Sequence, residues 1–381
     1  MMMRALSSVF GILIVVLAVA GPASAQVIET QARQAILIDK TTGTVLFEKN
    51  ADERMPTSSM SKVMTMYMLF EALGDGRLAL EDRLTVSERA WRKGGSKMFV
   101  EVGEQVRVED LIRGIIVQSG NDASIVVAEA LAGSEEEFGR RMTERARELG
   151  LESTNLVNAT GWPDPDHYST ARDLARLAEA LIDDYPEFYD YYAETEFTYA
   201  DIRQSNRNPL LYRNLGADGL KTGHTSDAGY GLMASAERNG RRLILVINGL
   251  ESASARAEEG ERLIEWGFRE FETELLFDAN EPVDEAWVWQ GDPASVPLVV
   301  GEDLYLTRRR GAESEMAMSV RIEEPVPAPL TAGAHVADLV ISMSGVPDRI
   351  VPLVTGAEVG QRGFFGRIAS STSYFVMSLV Q

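Results

Sequence analysis

Three short polar motifs, far apart in the chain, constrain the fold more than any other feature of this sequence. Ser59-Met60-Ser61-Lys62 is an SxxK tetrad, Ser119-Gly120-Asn121 an SxN triplet and Lys221-Thr222-Gly223 a KTG triplet. In this order they supply a serine nucleophile, a lysine base, a second hydroxyl and an anion clamp. Such groups act only within hydrogen-bond reach of one another. The fold must therefore bring an N-terminal segment, a mid-chain loop and a downstream strand to one place.

Local patterns predict how. Gln34 to Asp39 and Thr44 to Glu48 flank Lys40-Thr41-Thr42-Gly43 and read as a hairpin. Lys62 to Leu73 has neither Gly nor Pro and is rich in Met and Leu, which predicts a buried helix with Ser58 or Ser59 near its N-cap. On that helix Ser59 and Lys62 share a face, one turn apart. Val108 to Val117, Ser124 to Leu131, Glu135 to Leu149 and Ala171 to Ile182 read as helices. The Ser119–Asn121 triplet interrupts them as a loop, and Ser169-Thr170 offers caps for the last. Leu215 to Gly223 turns extended, and Gly229 to Ala236 and Arg241 to Asn248 are strands around an Asn239-Gly240 hairpin turn. Arg256 to Phe271 is a closing amphipathic helix. Strands at both ends and helices between them imply an α+β domain, with one sheet built from both ends beside a helical cluster.

The remainder reads differently. Beyond Glu272, prolines punctuate short Val/Leu/Ile runs, which predicts a separate all-β domain over 273–363 after a first domain over 26–272. Phe364 to Gln381 returns to helical spacing as an amphipathic, nearly uncharged helix. It suits a membrane interface or packing on its own domain, and both readings stay open. At the other end, Arg4, the apolar run Val9 to Ala20 and Ala23-Ser24-Ala25 predict a secretory signal peptide over 1–25.

Composition excludes several functions. The formal net charge of -21 would repel nucleic acid, so no nucleic-acid partner is expected. There are no cysteines, which removes thiolate catalysis, disulfides and cysteine-held metals. His167, His224 and His335 are widely separated and no HExxH pair exists, so no metal or other cofactor is expected.

With their flanks, the motifs resemble the D-alanyl-D-alanine carboxypeptidase family, the low-molecular-mass penicillin-binding proteins 5 and 6. The resemblance runs through Pro56 to Lys62, Gln118 to Ala123, Tyr168 to Asp173, Asp218 to Thr225 and Gly363 to Gly366. One departure is that two residues, not one, separate Pro56 from the nucleophile; Ser59 is chosen because it alone lies three residues before Lys62. The resemblance implies a penicillin-binding/β-lactamase-like transpeptidase domain followed by a small all-β domain. It implies a serine hydrolase that removes the terminal D-alanine from peptidoglycan stem pentapeptides through a Ser59 acyl-enzyme, with β-lactam antibiotics as covalent inhibitors. Lys62 would be the base, its pKa lowered by burial and by Lys221. Ser119 would relay a proton, and Asn121 would hold the substrate peptide group. Lys221, Thr222 and, as a further candidate, Arg207 would hold the terminal carboxylate. Gly223 would admit the substrate backbone. The backbone N–H groups of Ser59 and His224 would form the oxyanion hole. A signal peptide and a wall substrate together imply a periplasmic or cell-envelope location, peripheral on the outer face of the inner membrane if the C-terminal helix anchors. A class A β-lactamase, a D,D-endopeptidase and a non-catalytic wall-binding protein are the alternatives. The first of these lacks its ExxLN segment here.

Overall fold

A computed structural model of the chain describes residues 28–363, apart from 312–315, 324 and 344–345. The expected signal peptide and the 364–381 helix lie outside the described residues. Strands β1 (Gln34–Asp39), β2 (Thr44–Lys49), β3 (Ala217–Thr225), β4 (Gly229–Arg238) and β5 (Arg241–Leu250) form one sheet in the order β2-β1-β5-β4-β3. Every neighbouring pair is antiparallel. The N-terminal hairpin thus joins strands from the far end of the domain, and β3, which carries the KTG triplet, is left at the edge.

All six residues of β1 are buried, and between its polar ends Ala35 to Ile38 run continuously apolar rather than alternating. Side chains nonetheless divide by parity. Ile36, Ile38, Met233, Ile244 and Val246 face the helical cluster. Leu37, Leu232, Ala234, Leu245 and Ile247 face Leu263, Ile264 and Trp266 of the closing helix. Between β4 and β5, Asn239 and Gly240 have φ of 53° and 78°, the paired positive values that a two-residue primed turn requires.

The longer helices are α1 (Lys62–Gly74), α2 (Val108–Ile116), α3 (Asn121–Ala132), α4 (Glu135–Glu148), α5 (Ala171–Asp184) and α6 (Ala253–Glu270). Ser134, Thr170 and Ser252 cap α4, α5 and α6, each accepting the N–H three residues on. Helix α1 differs from expectation. Ser58–Ser61 form a 3-10 turn, and Ser61 at the N-cap makes no side-chain capping bond. The hydroxyls are engaged elsewhere: Ser61 Oγ donates to Ser58 O, and Ser59 Oγ meets Lys62.

Beyond α6 the described chain is all β, around a core that includes Val288, Val296, Leu298, Leu339, Ile341 and Leu353. It is fixed to the sheet through Asp39, which is fully buried. The Asp39 carboxylate accepts from Arg241 Nε at 2.7 Å, Thr273 Oγ1 at 2.7 Å and Thr307 Oγ1 at 3.0 Å. Arg241 also donates to Phe271 O at 2.8 Å. Asp39→Ala would leave Arg241 buried without its counter-ion. A loss of about 3 kcal/mol is expected, read as a lower urea midpoint; an unchanged midpoint would contradict this account of the junction.

Candidate active site

The turn that carries Ser59 is held between two glycines. A Cβ on Gly223 would stand 2.9 Å from Thr57 O and 3.0 Å from Ser58 Cβ. On the other side Gly161 has φ +73°, and a Cβ there would lie 1.8 Å from Ser58 O. Strand β3 and the loop at Gly161 therefore press directly on the turn. The Cβ side of Gly223 faces the nucleophile turn, so its smallness lets that turn pack on β3, and the same residue lines the cleft.

Lys62 is fully buried. Its Nζ lies 3.0 Å from Ser59 Oγ and 2.8 Å from Asn121 Oδ1, and it also donates to Thr160 O. The last two partners are acceptors only. Asn121 Nδ2 donates to Gly94 O at 2.9 Å, which fixes the orientation of the amide. A neutral amine has two N–H bonds. Asn121 and Thr160 take both, and the lone pair is left pointing at the Ser59 hydroxyl. Burial, then the Arg207 and Lys93 charges, lower the Lys62 pKa to about 7, against the opposing pull of Asp122 and Glu135. Lys221, the cation expected to do this, is itself pushed well below the usual lysine range by burial, Lys62, Arg207 and Arg256. Two buried amines destabilise each other's charge, so the cations that act on Lys62 are those nearer solvent.

Ser119 precedes α3 in the left-handed region, φ 59°, and its buried Oγ has no hydrogen-bond partner among the described residues. Asn121 positions Lys62 through Oδ1, and with one Nδ2 hydrogen on Gly94 O its amide retains a second N–H, the donor that the expected contact with substrate calls for. Next to it, Asp122 accepts from Met98 N at 2.8 Å and Phe99 N at 2.9 Å, pinning the 93–99 loop beside the cleft. Lys221, nearly buried, donates to Thr222 O at 3.3 Å.

These motifs meet at a cleft of about 420 Å³, lined by Ser59, Ser119, Thr222, His224, Arg207 and Arg256 among others. Arg207 donates to Ser96 Oγ across the cleft at 2.5 Å. The His224 ring stacks on Tyr230, centroids 3.9 Å apart.

Sequence reasoning passed over Arg256. It lies at the first turn of α6, 5.7 Å over the Tyr230 ring, with a buried Nε that has no partner among the described residues. A signal existed, since a cation near a helix N-terminus opposes the macrodipole and calls for another reason to be there. His167 was also unassigned. Its Nδ1 accepts Val157 N at 3.2 Å, so Nε2 carries the proton toward Ser61 Oγ at 2.9 Å. Burial lowers its pKa to about 4, and this neutral imidazole braces the turn. Among the described residues no group of His, Asp and Glu side chains could hold a metal ion.

A family model described as D-alanyl-D-alanine carboxypeptidase matches residues 21–252. The chain belongs to the D-alanyl-D-alanine carboxypeptidase family. A second model, for the C-terminal domain of penicillin-binding protein 5, matches residues 271–361. The D-alanyl-D-alanine carboxypeptidase DacC of Escherichia coli (strain K12) is 42% identical over 345 residues, 88% of this chain and 86% of the relative. Penicillin binding protein 5 from Haemophilus influenzae has a similar structure, with a TM-score of 0.82 at 36% identity, covering 87% of this chain and 98% of that one. Penicillin-Binding Protein D2 from Listeria monocytogenes, solved in its ampicillin-bound form, matches with a TM-score of 0.58 at 31% identity, covering 63% of this chain and 98% of that one. The fold expectation, an α+β transpeptidase-like domain followed by an all-β domain, holds.

Two outcomes follow from this geometry. Acylation by benzylpenicillin should rise with pH through a midpoint of about 7, because below it Lys62 is a cation that cannot accept the Ser59 proton. A stopped-flow profile that stays flat from about pH 5 to 9 would contradict the assignment of Lys62 as base. Gly161→Ala should displace the turn and reduce the acylation rate by about 100-fold or more.

Proposed function

We propose that this member of the family removes the C-terminal D-alanine from peptidoglycan stem pentapeptides through an acyl-enzyme on Ser59. The observation that carries this reading is the buried Lys62 amine, with Asn121 Oδ1 and Thr160 O as acceptors and Ser59 Oγ at 3.0 Å; in its neutral form the lone pair faces that hydroxyl. As Oγ attacks the carbonyl of the penultimate D-alanine, Lys62 takes the hydroxyl proton. The backbone N–H groups of Ser59 and His224 receive the oxyanion, each contributing about 3 kcal/mol. The C–N bond then breaks, and the proton passes from Lys62 through Ser119, whose free hydroxyl lies beside the cleft, to the departing amine. Water, deprotonated by Lys62, hydrolyses the ester in the second half.

Lys221, Thr222, Arg207 and Arg256 form the clamp for the terminal carboxylate. That anion would draw Lys221 back to its charged form, since an opposite charge within hydrogen-bond range favours ionisation. A β-lactam offers a strained amide with a carboxylate at a similar distance, so it acylates the same serine. The Val9 to Ala20 run supports export to the cell envelope, and the amphipathic 364–381 segment supports contact with a membrane surface. No helix among the described residues is long and apolar enough to cross a membrane.

Purified protein should release D-alanine from a pentapeptide, and Ser59→Ala should abolish this. After penicillin treatment, mass spectrometry should place the adduct on the peptide containing Ser59; an adduct elsewhere sinks the proposal. Arg256→Ala should lower kcat/KM by about 10- to 100-fold, the scale of one lost charge-assisted hydrogen bond. An unchanged kcat/KM removes Arg256 from the clamp.

A further inference from the structure

The carbonyl that aims Lys62 is itself held from several sides. Thr160 lies in the 158–162 loop, and both polar groups of the preceding peptide backbone are taken by side chains. Ala159 O accepts Thr65 Oγ1 at 2.9 Å, from α1 one turn beyond Lys62. Ala159 N donates to Glu135 Oε1 at 3.3 Å. Asn158 Oδ1 collects Thr160 N at 3.1 Å, Thr160 Oγ1 at 2.9 Å and Trp162 N at 3.0 Å. Helix α4 thus braces the loop through a charged group, although a neutral acceptor could make the same bond.

Glu135 is buried at the first position of α4, behind its Ser134 cap, where the macrodipole favours an anion. Among the described residues its one ion pair is with Arg89, Nη2 to Oε2 at 2.9 Å. Arg89 is half-exposed and also holds Glu136 through both terminal nitrogens, at 2.9 and 2.6 Å. One guanidinium therefore serves two carboxylates. The cluster keeps a net negative charge, and its buried member is the one that touches the loop.

Lys62 meets charges from each element packed on it. Lys93 of the 93–99 loop and Arg207 ahead of β3 oppose its protonation, while Asp122 of α3 and Glu135 of α4 favour it. Lys221 of β3 is a second buried amine, and His167 beyond the loop stays neutral. Asp122 is committed to the backbone N–H groups of Met98, Phe99 and Val100. Of the two anions, Glu135 is the one whose charge is offset by a side chain that reaches solvent.

We propose that Glu135, with Arg89 as its partial counter-ion, is a positioning residue for the base: it fixes the loop that aims Lys62, and its residual charge sets the pH above which Lys62 accepts the Ser59 proton. This rests on the reading of Lys62 as base. An anion near an amine favours the cation, so removing it extends activity to lower pH, and removing the guanidinium does the reverse.

The test is the rate of benzylpenicillin acylation against pH, by stopped flow, in the whole protein. Glu135→Gln keeps the acceptor and loses the charge. Its midpoint should fall by about half a pH unit, about a threefold faster reaction on the acid side. Arg89→Gln should raise the midpoint by a similar amount. Glu135→Ala should lose about tenfold in the limiting rate at high pH, with the half-saturating penicillin concentration unmoved, and Glu135→Gln should restore that rate. A wild-type midpoint near 7 that neither Glu135→Gln nor Arg89→Gln displaces overturns the inference and leaves Lys62 as the base. A wild-type profile without any midpoint removes both.

Discussion

The site depends on one buried amine. Lys62 is enclosed with three oxygens around it, and two of them cannot donate. That asymmetry decides what the amine does. Were a donor to replace Thr160 O or Asn121 Oδ1, the lone pair would turn away from Ser59 and the hydroxyl would remain a poor nucleophile. Burial makes the neutral form accessible near neutral pH, and the acceptors aim it.

Much of the surrounding architecture holds those acceptors in place. The Thr160 carbonyl belongs to a loop that Glu135 steadies by accepting Ala159 N at 3.3 Å, and Glu135 is in turn paired with Arg89. The Asn121 amide is tied to Gly94, and the turn itself is pressed between Gly161 and Gly223. Strand β3, at the sheet edge, then offers an unpaired backbone along which an extended peptide can lie.

The elements were legible in the sequence wherever the signal was local. Asn239-Gly240 dictates its turn by its own backbone preferences, and Thr170 caps α5 with its own hydroxyl. The motif residues were legible as a set, because the three motifs occur in order. What the sequence concealed was the division of labour among them. Nothing local shows that a glycine also admits a neighbouring turn, so the packing of Gly223 against Thr57 and Ser58 was not legible. Asn121 looks like a substrate ligand alone, and only the fold shows that its Oδ1 also holds the Lys62 amine. Lys221 seemed the natural cation beside Lys62, but its burial is a property of the packed sheet. Arg256 and Thr160 lie outside the motifs, and Thr160 acts through a main-chain carbonyl that its residue identity does not advertise.

The Asp39 junction has a consequence for how the molecule presents itself. Asp39 pairs with Leu243, which lies in register with Ala236 and through it with Ala217, whereas His224 sits near the opposite end of β3. The β domain and the mouth of the cleft therefore occupy opposite ends of the same strands. From Ala217 to His224 the strand advances by about 23 Å. Whatever grips the β domain leaves the catalytic mouth unobstructed and directed outward, as a rigid stalk carries a cutting edge away from the hand.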